Sequence, residues 1–309
     1  MPAADCSRDR LQERAISAAI RGQDSLVVMA TGAGKSLCYQ ASLAGTRTRE
    51  RRVPACRRDM PVEQIRKYSG VSDRRLVSAQ VPAMMSGTGL VVVISPLLSL
   101  MHDQVSALRA RNITAATTSE PSSERLAFEG TARLLYTTPE TALGRLKSRF
   151  SELHSRVGIR LLAIDEAHCV SEWGHDFRPE YQRLAELRAL LPGVPIMALT
   201  ATATPRVQEE MVRNLQLGRA GSGHVSVVST FDRPNLYYTS VERGSEEAEQ
   251  VLRDLVSQSN SDEAEPSIVY VLTQKESEKI AEKLIHMGAQ PERVGFYHAG
   301  LSDARRMQV

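Results

Sequence analysis

The stretch SLVVMATGAGKSLCYQ, from Ser25 to Gln40, decides the fold. An apolar run typical of a short buried strand comes first, and a glycine-containing loop leads from it into a helical pattern. A strand, a glycine loop and a helix in this order are the context of a phosphate-binding loop, where backbone N–H groups at the start of a helix surround a phosphate chain. The stretch therefore predicts an α/β fold with a nucleotide site.

Two side chains of this loop indicate how the nucleotide is held. Lys35 is expected to reach the β- and γ-phosphates of ATP, and the Ser36 hydroxyl is expected to bind Mg²⁺. The strict motif has glycine where Met29 stands, so the motif is met only in part, and a plain glycine-rich turn is the structural alternative. The residues predicted to bind the nucleotide here are Thr31, Gly32, Ala33, Gly34, Lys35 and Ser36.

Six more predicted strands follow the first within residues 1–230, and helical patterns separate most of them. Two further strands are predicted after residue 240, SIVYVL at 267–272 and RVGFYHAG at 293–300. Continuous apolar strands that alternate with amphipathic helices indicate a parallel sheet covered on both faces. We expect residues 1–230 to form one such α/β domain and 241–309 to begin a second one, with 231–240 as the linker between them. The last segment is shorter than the roughly 100 residues that such a domain usually needs. We therefore expect an incomplete second domain with an unpaired sheet edge.

Composition excludes several classes of protein. Apolar residues make up 42% and charged residues 24% of the chain, as in soluble globular proteins. No apolar run is long enough to span a membrane, and the N-terminus lacks the pattern of a secretory signal. None of the four cysteines forms a CxxC pair, so we expect no zinc site and no disulfide framework. An intracellular protein without a membrane partner is expected, nuclear if its source is eukaryotic and otherwise cytoplasmic.

Positive charge is concentrated in one segment. Residues 41–80 contain ten basic and four acidic side chains, a net charge of +6, whereas the whole chain carries +3. The rest of the chain is therefore at −3, and overall charge gives no argument for a nucleic-acid partner. Such an argument has to come from a site.

Asp165 and Glu166 follow the apolar run LLAI, and ligands of open α/β sheets bind at the carboxyl ends of strands. We expect Asp165 to hold Mg²⁺ together with Ser36, and Glu166 to orient or deprotonate the attacking water as the catalytic base. His168 is expected to contact the γ-phosphate or to link it to the next strand. An adjacent acidic pair is common on protein surfaces, but the upstream phosphate loop favours the catalytic interpretation.

DEAH at 165–168, between a phosphate loop and ALTATAT at 198–204, resembles a superfamily 2 helicase. A more specific resemblance, to the RecQ family of DNA helicases, extends from about Gln12 to Val309. It implies a RecA-like P-loop NTPase domain followed by a second, incomplete RecA-like domain. The motifs that carry it are ATGAGKSLCYQ, VVVISPLLSLMHDQV, TTPE, DEAHCVSEWGHDFRPEY, FDRPNLYY, IVYVLTQKESEKIAEKL and FYHAGL.

The resemblance implies that the segment after DEAH is an aromatic-rich loop that senses DNA and couples it to ATP hydrolysis. Trp173, Phe177 and Arg178 occupy the matching positions, with His175 nearby, and Trp173 is the only tryptophan of the chain. Stacking of a base on an aromatic ring contributes ~1–3 kcal/mol and tolerates any base sequence. Aromatic residues are more often buried in a core, but SEWGHDFRP is too polar and too interrupted by glycine for a core strand.

Further matching positions are implied to hold the DNA backbone or the adenine. Those expected to contact DNA, or to link it to the state of the nucleotide, are Ser95, Thr137, Thr200 and Thr202. Gln12 matches the glutamine that recognises adenine. The arginine that the family has three residues earlier is replaced here by Asp9, with Arg8 and Arg10 as the nearest substitutes.

Residues 41–80 depart from the family pattern, in which CYQ continues within a few residues into the strand before SPL. We expect an insertion, either a disordered loop or translated non-coding sequence carried in the gene model. Its deletion is expected to leave the fold intact, and a deletion variant that failed to fold while the full chain folded would make the insertion structural. The functional alternative is an arginine-rich DNA tether, which a flatter salt dependence of DNA binding after deletion would support.

The resemblance implies an ATP-dependent 3′-to-5′ DNA helicase that acts in repair and recombination. Single-stranded or forked DNA, ATP and Mg²⁺ are its expected ligands, and no protein partner is assigned. The family also supplies, beyond the stretch that matches here, an arginine at the γ-phosphate that contributes about 10³–10⁵ in rate. We therefore expect this chain to bind Mg-ATP and DNA but to hydrolyse ATP weakly. One alternative is a non-catalytic nucleotide- and DNA-binding protein on the same scaffold; another is a P-loop phosphotransferase, which the aromatic loop and FYHAGL disfavour.

Overall fold

The computed structural model describes residues 4–42, 89–173, 176–218, 223–230, 236–242, 244–261, 265–302 and 305. The chain divides into two compact units, Met1–Asp232 and Arg233–Val309. The arginine-rich insertion predicted at 41–80 lies outside the described residues from position 43 onward, as do His175 and the first half of the predicted linker. The predicted insertion and domain boundaries therefore stay predictions.

The described part of the first unit is built on one parallel sheet, and every strand predicted in this unit is present. The strands are β1 Asp24–Val28, β2 Leu90–Ile94, β3 Ala115–Thr117, β4 Leu134–Thr137, β5 Ile159–Ile164, β6 Ile196–Thr200 and β7 His224–Val228. They lie side by side in the order β3-β4-β2-β5-β6-β1-β7, and all neighbours run parallel. Because the strands are parallel, all their carboxyl ends lie at one edge of the sheet.

Helices pack on both faces of this sheet, as the sequence predicts. Successive strand residues alternate between two apolar cores: Leu26 belongs to one and Val27 to the other. Tyr39 packs in the second core and Tyr181 in the first. The helices of this unit are α1 Ala4–Ile20, α2 Lys35–Ser42, α3 Leu98–Arg109, α4 Pro121–Phe128, α5 Pro139–Leu143, α6 Phe150–Val157, α7 Pro179–Arg183, α8 Leu187–Leu190 and α9 Pro205–Asn214.

The sequence pattern predicts one continuous helix over 141–156 and another over 179–191, but both are broken in the structure, so those predictions are wrong. The segment 141–156 ends its first helix at Gly144 and resumes after a 3₁₀ turn, Lys147–Arg149. In the segment 179–191, Tyr181, Leu184 and Leu187 are all fully buried. A spacing of three residues fits the 3₁₀ turn at 184–186 better than an α-helix, so tertiary packing overrides local helix propensity.

Helix α4 was not predicted, although the sequence contains a signal for it. Pro121 occupies the first helical position, where its missing N–H costs nothing. The Ser123 hydroxyl also accepts a hydrogen bond from the backbone N–H of Thr117 at 3.0 Å, which fixes the helix to the end of β3. Proline after a polar residue is therefore an informative start signal here.

The described part of the second unit consists of helices α10 Glu246–Ser259 and α11 Gln274–His286 and a 3₁₀ turn, Pro291–Arg293. The strands predicted at 267–272 and 293–300 are not among its described elements, so those predictions are wrong for this structure. A strand needs a neighbour to receive its backbone hydrogen bonds. Ile268, Tyr270 and Leu272 are instead 76%, 89% and 88% exposed. No helix in the described ranges is both long and apolar enough for a membrane span.

Candidate functional site

Three of the predicted site segments meet at the carboxyl edge of the sheet. The phosphate loop follows β1, the DEAH segment follows β5, and the ATAT segment follows β6, which lies between the other two strands. The Met29 N–H donates to the Thr200 carbonyl at 3.1 Å, so the pairing of β1 with β6 continues into the loop. The sheet order thus places Thr200 between Lys35 and Asp165.

The phosphate loop has the backbone geometry that its glycines permit. Gly32 and Gly34 have φ values of 78° and 84°, in the left-handed region where a Cβ atom is disfavoured. The Lys35 ammonium donates to the Met29 carbonyl at 3.2 Å and therefore lies across the loop. The Gln12 amide donates to the Ala33 carbonyl at 2.8 Å, so the residue predicted to recognise adenine is bonded here to the loop backbone.

Asp165 and Glu166 have different environments despite being adjacent. Asp165 is buried, and both its burial and the nearby charge of Glu166 raise its pKa to about 6. Its carbonyl accepts a 2.9 Å hydrogen bond from the buried Tyr181 hydroxyl. Glu166 has a left-handed backbone with φ of 47°, which is uncommon for a residue with a side chain. Strain of this kind is concentrated at functional sites.

His168 connects the acidic pair to β6. Its Nδ1 lies 2.9 Å from the Thr200 hydroxyl and 3.3 Å from Glu166 Oε2. The Thr200 hydroxyl donates to the Thr202 carbonyl at 3.0 Å, so its oxygen can accept from a protonated Nδ1, whose proton also faces Glu166 Oε2. The hydrogen bond with His168 lowers the pKa of Glu166, and the side chains of Cys169 and Glu166 raise the pKa of His168. Glu166 is therefore held in its charged form.

The predicted magnesium ligands satisfy the chemistry of a hard divalent cation. Ser36 supplies a hydroxyl and Asp165 a carboxylate, and Mg²⁺ prefers oxygen ligands of these kinds. Ser36 lies in the first turn of α2, directly after the phosphate loop, and Asp165 follows β5 at the same edge of the sheet. The positive charge of Lys35 opposes the rise in the pKa of Asp165, and it adds to the lowering of the pKa of Glu166 that His168 mainly causes. Mg²⁺, Lys35 and the two acids would thus lie close together at the carboxyl edge of the sheet.

The aromatic loop lies at the surface. Trp173 is 64% exposed and Phe177 is 37% exposed, which removes the alternative that the two rings belong to the core. The Arg178 guanidinium donates to the Pro96 carbonyl at 3.3 Å and to Asp176 at 3.1 Å. Arg178 therefore ties the loop to the segment that precedes α3.

The four hydroxyl residues predicted to contact DNA differ in accessibility. Ser95 N–H donates to the Thr137 carbonyl at 3.0 Å, which places the ends of β2 and β4 side by side. Ser95, Thr137 and Thr200 are buried, whereas Thr202 is exposed. Only Thr202 offers its side chain to solvent, and the DNA contacts of all four stay predictions.

Several polar residues behind the site were not singled out from the sequence. The hydroxyls of Tyr39 on α2 and Tyr136 on β4 both donate to Gln104 Oε1, at 2.6 and 3.0 Å. Both tyrosines are buried. Tyrosine in an apolar helix or strand indicates only a core position, so no sequence signal reveals this contact.

Comparison with known proteins assigns the family. Residues 9–211 match the model of the DEAD/DEAH box helicases. The chain belongs to the DEAD/DEAH box helicase family. The chain is 37% identical over 305 residues to the ATP-dependent DNA helicase RecQ of Pasteurella multocida, covering 96% of this chain and 39% of that relative. It is 35% identical to RecQ of Bacillus subtilis, covering 93% of this chain and 40% of that one.

The resemblance to RecQ helicases is therefore confirmed, and the chain spans about two fifths of the length of the curated relatives it matches. Among solved structures, it is similar to the DUF1998 helicase MrfA bound to DNA and AMPPNP, with a TM-score of 0.59 at 13% identity, covering 96% of this chain and 39% of that one. That likeness concerns the fold alone. Together with the parallel sheet, it confirms the predicted RecA-like α/β class.

Proposed function

We propose that this chain is the motor segment of an ATP-dependent DNA helicase of RecQ type, which unwinds DNA in the 3′-to-5′ direction during repair and recombination. The observation that carries the proposal is the contact of His168 with Thr200 at 2.9 Å. It joins the DEAH segment to the strand next to the phosphate loop. A change at the nucleotide can therefore reach two segments that continue toward the predicted DNA surface.

For ATP hydrolysis, each site residue has a separate role. Lys35 and the backbone N–H groups of the loop bind the phosphates, and Ser36 and Asp165 would hold Mg²⁺, which when bound neutralises charge on the phosphate oxygens. Glu166 orients the attacking water and accepts its proton. Its lowered pKa keeps the carboxylate charged at neutral pH, the form that can accept a proton. His168 positions Glu166 and transmits its state to Thr200.

For DNA binding, the exposed indole of Trp173 is the stacking surface and single-stranded or forked DNA is the proposed substrate. Phe177 and Arg178 extend this surface, and backbone-binding positions contribute contacts that read no sequence. These are Ser95, Thr137, Thr200 and Thr202. We also propose the nucleus as the compartment if the source is eukaryotic, and otherwise the cytoplasm.

The domain assignment belongs to the same proposal. Residues 1–230 form the first RecA-like, ATP-binding domain, 231–240 are the linker, and 241–309 are the N-terminal part of a second RecA-like domain. Gln12 contacts the adenine in this proposal, although it is bonded to Ala33 in the structure. Binding of ATP would then require Gln12 to exchange the loop carbonyl for the base.

Single-turnover ATP hydrolysis with and without single-stranded DNA tests the proposal. A helicase motor is expected to hydrolyse ATP slowly alone and faster with DNA. Binding of both ligands with no hydrolysis under either condition would instead identify a non-catalytic nucleotide- and DNA-binding protein. Hydrolysis that DNA never affects would remove the DNA part of the proposal.

Replacement of Trp173 by alanine is expected to weaken binding of single-stranded DNA by about 5- to 150-fold, because a stacked base contributes ~1–3 kcal/mol. ATP hydrolysis should lose its response to DNA while its rate without DNA stays unchanged. The measurement is ATP turnover against DNA concentration. Trp173→Phe keeps a stacking ring and should retain most of the response. An alanine variant that responds to DNA like the unchanged chain would remove Trp173 from the coupling.

A further inference from the structure

We propose that helix α9 carries the aromatic loop: Arg206 and Glu210 are positioning residues that hold Trp173 and Ser171, and so join the DNA-stacking ring to the β6–α9 segment. The inference rests on the proposed function, and it adds the residues that position the stacking ring. It concerns residues outside the sequence motifs, since neither Arg206 nor Glu210 belongs to DEAH, to ATAT or to the aromatic loop.

Two contacts fix the loop to α9. The Arg206 guanidinium carbon lies 3.7 Å from the centroid of the Trp173 ring. Glu210 Oε2 accepts a 2.6 Å hydrogen bond from the hydroxyl of the buried Ser171. The same hydroxyl accepts a hydrogen bond from the backbone N–H of Trp173 at 3.2 Å. Arg206 and Glu210 are four residues apart, so they lie on one face of the helix. Side chain and backbone of the loop are thus both held.

The stacked guanidinium leaves room for a base. Arginine over tryptophan is the most favourable side-chain cation–π pair, and it covers one face of the indole. Trp173 is nevertheless 64% exposed, so its remaining surface is open to solvent. A DNA base can stack there while Arg206 supports the opposite face. Arg206 therefore orients the ring before DNA arrives.

The same helix continues from the segment that contacts His168. Thr204 caps α9 by accepting a hydrogen bond from the Val207 N–H at 3.4 Å, and Thr200 at the end of β6 is bonded to His168. The DEAH segment and the aromatic loop that follows it are therefore each bonded to the single stretch from Thr200 to Glu210. A displacement of the loop by DNA would be passed along α9 as well as along the loop itself.

Emission from Trp173 tests the inference without any label, because it is the only tryptophan. Arg206→Ala is expected to shift the emission maximum and to lower its anisotropy in the absence of DNA and ATP, since the ring loses its support. Binding of an oligothymidine, followed by the same emission, should weaken about two- to fivefold. Arg206→Lys keeps the charge but not the planar group and should restore binding only in part.

The matched control is Arg156→Ala, which removes an exposed arginine just before β5, at the opposite edge of the sheet. It should change neither emission nor DNA affinity. If Arg206 only contacted a DNA phosphate, Arg206→Ala would leave the emission without DNA unchanged. It would also make the salt dependence of DNA binding less steep by about one phosphate. That result would overturn the inference, as would an Arg206→Ala variant with the emission of the unchanged chain.

A second variant tests the other contact. Ser171→Ala removes the hydroxyl that Glu210 and the Trp173 N–H share, and it should lower the anisotropy in the same direction as Arg206→Ala; unchanged anisotropy would overturn this part of the inference. Trp173 emission and anisotropy measured without DNA depend on neither DNA binding nor ATP hydrolysis. Failure of the proposed function, seen as emission that DNA never changes in the unmodified chain, is thus distinguishable from failure of the α9 contacts.

Discussion

Replacement of Glu166 by glutamine is expected to lower DNA-stimulated ATP hydrolysis by about 10²–10⁴-fold, the usual contribution of a general base. Glutamine preserves the shape of the side chain, and its amide can still hydrogen-bond to His168. It cannot accept a proton from the attacking water. Binding of the nucleotide should change little, because Lys35 and the loop N–H groups are untouched.

The measurement is single-turnover hydrolysis at saturating DNA, together with nucleotide affinity. Glu152→Gln is the matched control, since Glu152 is an exposed acid on α6, away from the site and from the aromatic loop, and should tolerate the change. If Glu166→Gln retained more than about a tenth of the rate while binding both ligands normally, the water would be activated elsewhere. Asp165 would not be the substitute, because its proposed task is to hold Mg²⁺.

The sheet was predictable because strand formation in a parallel α/β fold depends on a local signal. The central strands of the first unit are buried on both faces, so most of them appear in the sequence as apolar runs, whereas the edge strand β7 is largely exposed. Helix boundaries were less predictable. At Leu184 the chain tightens into a 3₁₀ turn so that side chains three residues apart become buried, and this choice depends on partners distant in sequence. The second unit shows the converse: apolar runs such as 267–272 do not pair where no strand lies beside them.

The site residues also divide into those that a local sequence motif reveals and those that only the packing of distant segments brings together. Lys35, Asp165 and Glu166 belong to motifs whose residue types state their chemistry, and the sheet order brings their segments together as expected. Contacts such as those of Arg206 with Trp173 and of Gln104 with two tyrosines depend on the packing of separate helices. An exposed arginine or a glutamine in a helix has no local pattern that indicates its partner. The structure is needed to find them.

Asp24 is the clearest residue of this second kind. Glycine or a hydrophobic residue would be expected at the start of a buried strand, yet this carboxylate is only 4% exposed. Its Oδ1 accepts from the Ile196 N–H at 2.8 Å, and its Oδ2 accepts from Arg188 at 2.8 Å and from the Gly218 N–H at 2.7 Å. Asp24 thus fixes three segments that are distant from it in sequence at the amino edge of the sheet.

Asp24→Ala is therefore expected to lower the free energy of unfolding by about 3–5 kcal/mol, the cost of leaving one partner of a buried ion pair unmatched. The Arg188 side chain is only 18% exposed, and its Nε already has no hydrogen-bond partner within the described residues. Urea denaturation followed by circular dichroism measures the loss. Asp24→Asn keeps one acceptor and should cost less.

Glu152→Ala supplies the control for this measurement, because it breaks an exposed ion pair with Arg156 on α6 and should cost no more than about 1 kcal/mol. Equal losses in the two variants would mean that the buried position of Asp24 adds nothing. A larger loss at Asp24 has a functional consequence as well. The residue fixes the starts of β1 and β6, and the opposite ends of these strands hold the phosphate loop and Thr200, so the geometry between Lys35 and His168 depends on an acid at the far edge of the sheet.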